Sequence, residues 1–114
     1  MTDAAIEKEI QEKGLTAPRV TPARIDEVCH KPAQFHVFPG TMLTVCCLEL
    51  ANGFTVTGES ACASPENFNQ ELGEKIAYTN AKQKVWALEG YLLKQSLHDA
   101  ERNRRSDTEA FDGG

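Results

Sequence analysis

Between Met42 and Leu93 the spacing of apolar and polar positions changes period once, and that change predicts a hairpin followed by a long helix. Residues 42–50 read MLTVCCLEL and residues 54–60 read FTVTGES, with Ala51-Asn52-Gly53 between them. Short runs rich in β-branched and apolar residues, broken by Asn-Gly, are the pattern of two antiparallel strands and a tight turn. A three-residue loop with Gly53 in a left-handed bulge pairs Leu50 with Phe54, Leu48 with Val56 and Cys46 with Gly58. That register puts Leu48, Leu50, Phe54 and Val56 on one face and Glu49, Thr55, Thr57 and Glu59 on the other. A slip of one residue would invert every side chain, so the burial pattern selects the loop length. After Ser64-Pro65-Glu66, which reads as a helix start, apolar residues recur at Phe68, Leu72, Ile76, Ala81, Val85, Leu88 and Leu92. Spacings of three and four place them on one helical stripe. Trp86, Leu93 and Leu97 widen it to a second flank, with Tyr78 nearby, so the helix is expected to touch two surfaces. Gly73 and Gly90 each cost about 1 kcal/mol relative to Ala inside a helix, and close backbone approach would explain them.

Upstream the pattern is weaker. Residues 3–13 have helix-forming composition but only Ile6 and Ile10 as apolar anchors, and Lys13-Gly14 reads as a helix end. Thr21-Pro22 predicts a short helix over 22–30, with Thr21 as N-cap and Pro22 in the first position. That helix would turn Ile25 and Val28 inward, with Cys29 beside them, and end at Pro32. Gln34–Phe38 predicts a short strand, followed by a turn at Pro39-Gly40. Beyond residue 97 the stripe is lost. Arg102, Arg104 and Arg105 suit a helix C-terminus, and the last stretch from Ser106 reads as disordered. The expected organisation is an N-terminal arm (1–20), a single domain (21–100) and a charged tail (101–114). The fold class is α+β: an antiparallel hairpin of two to three strands packed against one long C-terminal helix, with a short N-terminal helix.

Size and charge narrow the function. A chain of 114 residues is one domain. An ordered part of roughly 80 residues buries a marginal core, which a partner subunit would supplement. The expectation is therefore a homodimer or higher oligomer. A formal net charge of −5 argues against sequence-independent nucleic-acid binding, which needs a basic surface. It leaves room for a small anionic ligand held by a few Lys or Arg. No apolar run approaches the ~20 residues of a membrane span, and MTDAAIEKEIQEKG has neither a basic flank nor an apolar stretch. The expectation is a cytosolic protein whose four cysteines are reduced thiols.

None of the chemistry-bearing residues forms a reaction motif. Cys46 and Cys47 are neighbours on a strand, so their side chains point to opposite faces and cannot chelate one ion. Cys29-His30 and His36 add possible ligands without Cys-x-x-Cys spacing. Buried structural thiols are the better reading, and neither a metal nor a cofactor is expected. Thr57-Gly58-Glu59-Ser60-Ala61-Cys62 is not a Gly-x-Ser-x-Gly elbow. Cys62 with His36 could make a thiolate pair but has no third orienting group. The helix start at Ser64 offers N–H groups to a phosphate, but Glu66 and Glu71 already bring negative charge there. Asn80, Lys84 and Tyr91 share one side of the helix and make a polar row. Thr55, Thr57 and Glu59 make a matching row on the hairpin. These six residues are the candidate binding residues, and Trp86, Leu93 and Leu97 are the candidate interface.

The segments NGFTVTGESACASPENF (52–68) and KIAYTNAKQKVWALEGYLL (75–93), with the opening EIQEKGLTAPRVTP (9–22), resemble a family of small tailed-phage and prophage proteins. That family is typified by an early gene product of coliphage N-four and by gene 66 of a Shigella podovirus. The resemblance spans about residues 5 to 97. It implies an accessory protein of a phage genome and supplies no catalytic residues. Many relatives carry a longer insertion before the first strand, where Phe35–Phe38 is short here. Together these readings predict non-enzymatic binding in the host bacterial cytoplasm. The target would be a host protein that is inhibited or modulated, or a small anionic, nucleotide-type defence signal held between subunits.

Overall fold

The computed structural model describes residues 3–14 and 17–112, with the backbone alone for 106–112. Helix α1 (Asp3–Glu12) is followed by α2 (Pro22–Val28), strands β1 (Gln34–Val37), β2 (Leu43–Glu49) and β3 (Thr55–Ala61), and a long helix α3 (Gln70–Asp112). The three strands form one antiparallel sheet in the order β1-β2-β3. The architecture is the α+β fold that the alternating and helical periods predict.

The register of the hairpin is the expected one. Leu48 pairs with Val56 and Cys46 with Gly58, and the Leu50 N–H donates to the Phe54 carbonyl at 2.7 Å. Gly53 closes the loop with φ of 90°, a conformation that strains residues with a Cβ. The Asn52 side chain accepts from the Phe54 N–H at 3.0 Å, which holds the loop from the other side. At the start of α2 the Thr21 hydroxyl accepts from the Arg24 N–H at 3.2 Å, with Pro22 in the first turn. The helix ends at Val28, two residues short of the expected 30, where the Val28 carbonyl accepts from the Ala51 N–H in the hairpin loop. That bond fastens α2 to the hairpin tip.

One face of the sheet is covered. Positions 44, 46, 48 and 50 are buried, whereas 43, 45 and 47 are only half-buried. The core consists of Ile25 and Val28 from α2, Cys46, Leu48, Leu50 and Val56 from the hairpin, and Ala77, Ala81 and Val85 from α3. The helix seam is thus built of small residues one turn apart. It lies directly on Gly58, where a Cβ would sit 2.2 Å from the Ala77 carbonyl oxygen and 2.2 Å from the Ala81 nitrogen. A turn earlier, Gly73 faces Thr44, whose hydroxyl would be 3.2 Å from an added Cβ. Close approach accounts for Gly73, as the sequence suggested. It does not account for Gly90, which has no atom within 4 Å of a Cβ position.

Four expectations are corrected. The helix does not start at Ser64: Pro65–Asn67 makes a single 3₁₀ turn, Phe68 returns to extended backbone, and Ser64 caps nothing with its side chain. Asn69 is the cap of α3, its side chain accepting from the Leu72 N–H at 2.9 Å. Phe68, Leu72, Ile76, Leu88 and Leu92 were expected on the buried stripe and are exposed. The seam uses Ala and Gly in their place, because a helix lying on a strand glycine has no room for larger side chains. Phe54 shares the core face of the hairpin by register yet is 55% exposed. It sits at the hairpin tip, beyond the point where α3 crosses β3 at Gly58. Lastly, α3 takes in Arg102, Arg104 and Arg105, which suit its C-terminal end, and continues to Asp112, where disorder was expected from Ser106.

Candidate functional site

Helix α3 has 43 residues and so spans roughly 65 Å at 1.5 Å per residue. The sheet beneath it has strands of at most seven residues, about 24 Å of extended chain. The helix therefore outruns its own sheet. The stripe that begins with Ala77, Ala81 and Val85 continues one and two turns later as Leu88 and Leu92. Their side chains project from the core-facing side of α3 past the hairpin tip, and both are exposed.

Two grooves form where the N-terminal elements approach this part of α3. One, of about 350 Å³, is lined by Ile6 and Ile10 of α1, Val20, Pro22 and Trp86, with Glu7 and Gln83 at its border. The other, of about 370 Å³, is lined by Val20, Leu92, Leu93 and Ser96, with Arg19, Arg24 and Glu89 around it. Val20 is common to both. Trp86 and Leu93, predicted as interface residues, are thus brought together on the walls of adjoining grooves. Leu97 is exposed on the same helix one turn further. Sequence reasoning missed Val20, Arg19 and Arg24. Arg19 and Val20 lie in a non-helical stretch beside Pro18, where periodicity gives no signal.

Ion pairs set the shape of the grooves. The Arg19 guanidinium makes a two-pronged contact with the Glu7 carboxylate, at 2.6 Å and 2.5 Å. This contact, helped by a bond from Gln11, holds the Glu7 carboxyl down at a pKa of about 2. It ties α1, which has no fully buried residue, to the segment before α2. The Arg24 guanidinium donates to Glu89 of α3 at 3.3 Å, and Lys82 reaches Asp26 at 3.4 Å, so α2 is pinned to α3 on both sides of Ile25.

The weak anchoring of α1 carries a pH prediction. The Glu7 carboxyl is depressed from an ordinary 4.5 to about 2. Its contribution is present in full above pH 4.5 and is lost as the pH falls toward 2. Helix α1 is expected to detach in that window before the sheet unfolds. Trp86 is the single tryptophan of the chain and lines the groove that α1 closes. Its emission should therefore shift red between pH 4.5 and 2 while the far-ultraviolet signal of α3 persists, and Glu7→Gln should show the red-shifted emission already at pH 7. Superimposable emission from Glu7→Gln and wild type at neutral pH would show that the pair does not hold α1.

The six predicted binding residues do not converge. Asn80 donates through its side-chain amide to the Glu59 carbonyl at 2.9 Å. The Leu50–Phe54 pair is hydrogen-bonded, so alternation along the ladder turns the Glu59 carbonyl outward to the free edge of β3. Asn80 therefore ties α3 to that edge. Lys84 and Tyr91 follow it along the helix, and Tyr91 is 72% exposed. The side chains of Thr55, Thr57 and Glu59 lie on the sheet face turned away from α3, where the Thr57 hydroxyl donates to Glu59 at 3.2 Å. The two rows meet only through the backbone carbonyl of Glu59.

The thiols are placed as strand alternation requires. Cys46 is buried and Cys47 half-buried, on opposite faces, and all four cysteines are free. Burial pushes the Cys46 thiol up to about 11, with Cys47 beside it adding to the shift, so it stays protonated and is a poor nucleophile at neutral pH. Cys62 spends its S–H on the Ser64 carbonyl at 3.3 Å. Among the described residues, no group of three or more His, Cys, Asp or Glu side chains is placed to share a metal ion.

Comparison with known protein families decides the origin of this fold. The model of a family described as "Phage protein (N4 Gp49/phage Sf6 gene 66)" matches residues 1–97. The chain belongs to this family. The match takes in the sheet, both grooves and α3 as far as Leu97, and it stops short of the Arg-rich end of the helix. No curated protein and no solved structure matches the chain. Family membership makes this a phage protein, and among its described residues no helix is long and apolar enough to cross a membrane.

Proposed function

We propose that this protein serves its phage by binding a protein of the bacterial host, in the host cytoplasm, and that it inhibits or modulates that protein without catalysing a reaction. The observation that carries the reading is the run of apolar side chains on the overhanging part of α3, with the two grooves beside Val20. A row of Leu88, Leu92 and Leu93 at spacings of one and four residues, flanked by guanidinium and carboxylate groups, suits an amphipathic helix laid into a groove. Exposed apolar surface rimmed by charge is the usual mark of such a site. Docking of this kind needs no covalent step, consistent with a buried, protonated Cys46 and an occupied Cys62.

A second reading, sequestration of a small anionic, nucleotide-type signal by an oligomer, draws on the same place. Arg19 and Arg24 both border the groove formed with Leu92 and Leu93. Each is already engaged with a carboxylate, so an anion would have to displace Glu7 or Glu89. That exchange makes host-protein docking the better-supported choice.

The test is Leu92→Lys. Leu92 is more than half exposed, so the change should leave folding within about 0.5 kcal/mol, as surface substitutions usually do. Capture of host proteins from infected cells, read by mass spectrometry of retained proteins and small molecules, should lose its specific protein partner. Cys62→Ser should keep it. Retention of the same partner by Leu92→Lys would refute groove docking. A retained nucleotide in place of a protein would favour the second reading.

A further inference from the structure

Helix α1 turns one stripe of side chains, Asp3, Ile6, Glu7 and Ile10, into the groove beside Trp86. Offsets of three, four and seven residues are those of an amphipathic helix anchored along a surface. Val20, Pro22 and Trp86 form the apolar wall opposite, and the Arg19 guanidinium takes the Glu7 carboxylate in its fork. Lys8, Glu9 and Glu12 lie on the solvent side, where Glu9 pairs with Lys13 at 2.8 Å. The seat is thus an apolar wall with a cation at its border, and the helix on it carries two apolar anchors with an acid at the matching place.

The fit is loose. Helix α1 contributes no residue to the core, Ile6 is 41% exposed, and a groove of about 350 Å³ remains beside it. Ten residues are too few for a stable isolated helix in water, so α1 owes its helical state to this seat. A longer helix with bulkier side chains in place of Ile6 would remove more apolar surface from water and still present an acid to Arg19.

We propose that this groove exchanges α1 for an acidic amphipathic helix of a partner protein, with apolar anchors four residues apart and a carboxylate next to the first of them for Arg19. The inference rests on the docking reading above and gives the partner its chemistry, since α1 is an internal copy of the helix that replaces it. The two-pronged contact of guanidinium with carboxylate is strong and directional, so it sets the register of the incoming helix as well as its charge. A basic helix would meet Arg19 with like charge. Tethering presents α1 to the groove at an effective concentration in the millimolar range. The tethered helix therefore sets a threshold that weak, unspecific helices do not pass.

The experiment uses the full chain and a capped peptide of residues 3–14 as the probe. The peptide contains no tryptophan, so emission reports Trp86 alone. Two variants free the groove by different routes. Glu7→Arg turns the contact with Arg19 into repulsion, and Ile10→Ser removes an apolar anchor while leaving Arg19 in place. No residue of α1 is in the core, so the far-ultraviolet signal of the sheet and α3 should persist in both. Their emission should be red-shifted, and the peptide should return it to the wild-type position saturably. A peptide with Glu7→Lys should fail on both. The chain with Arg19→Glu should reverse the preference and take the Glu7→Lys peptide. Wild-type emission in both freed variants would show that α1 does not occupy the groove and would overturn the exchange. Red-shifted emission that the peptide does not restore would overturn the groove as a helix site, and equal recovery with both peptides would overturn the acidic class. Self-association of wild type that Arg19→Glu abolishes, read by light scattering, would make the occupant α1 of a second copy and overturn the partner protein. None of these readouts involves Leu92 or a host extract, so they fail independently of the Leu92→Lys capture.

Discussion

Gly58→Ala is expected to destabilise the fold by more than about 3 kcal/mol. The added methyl would lie 2.2 Å from both the Ala77 carbonyl oxygen and the Ala81 nitrogen, and 2.9 Å from the Ala81 Cα. These are backbone atoms of a helix held by its own hydrogen bonds, so no rotamer change can make room. Inserting atoms into a packed core commonly costs about 1–3 kcal/mol, and a clash with backbone belongs above that range. A small domain has only about 5–15 kcal/mol in total. The likewise chemical change Gly90→Ala is the control. Nothing lies within 4 Å of its Cβ position, and it should raise stability by up to about 1 kcal/mol through helix propensity. Urea denaturation followed by circular dichroism compares the two. Should Gly58→Ala unfold at the wild-type midpoint, α3 does not cross the sheet where it is placed here.

Leu48→Ala is expected to destabilise by about 2–5 kcal/mol, and Phe54→Ala by less than about 1 kcal/mol, although Phe is the larger residue. Both lie on the same face of the hairpin by register. Leu48 is 2% exposed among Ile25, Val28 and the α3 seam, whereas Phe54 is 55% exposed. Truncating Leu48 leaves a cavity in the centre of the core, and the backbone around it is fixed by pairing on both sides of β2. Truncating Phe54 removes surface that is already half in water. Thermal melts of the two variants, with heats of unfolding, read the difference directly. A Phe54→Ala penalty equal to that of Leu48→Ala would mean that the hairpin tip is covered, by another subunit or by a different path of α3.

The fold was largely legible in the sequence because local rules and burial agree there. Asn52-Gly53 can close only a few loop types, and just one of them puts Leu48, Leu50 and Val56 on a common face. Thr21-Pro22 is a cap whose side chain and ring both act within one turn. The seam of α3 was not legible. Ala77 and Ala81 carry little hydropathy, and the leucines and isoleucine around them dominate any periodic pattern. The signal that identifies the seam is steric: small residues at 73, 77 and 81 in the helix and a glycine at 58 in a strand. It becomes meaningful only once strand and helix are known to touch. Trp86 and Leu93, which line the grooves, were within reach because they are large and apolar outside the main stripe. Arg19 and Arg24 were not, because their places in the groove depend on pairing with Glu7 and Glu89 across distances that no spacing rule covers. The polar rows failed as one site because alternation in a strand and rotation in a helix each fix a side, and only the packing angle says whether the sides meet.

The overhang of α3 also governs how this protein behaves hydrodynamically. Its radius of gyration is 19.8 Å and its extents are 73 × 33 × 24 Å, against about 13 Å for a compact chain of this length. A single chain would diffuse slowly for its 12.6 kDa and leave a sizing column early, at the volume of a rounder protein of greater mass. Elution position therefore cannot distinguish an extended monomer from a compact pair. Only a measurement of mass independent of shape, by light scattering or sedimentation equilibrium, can count the chains that travel together.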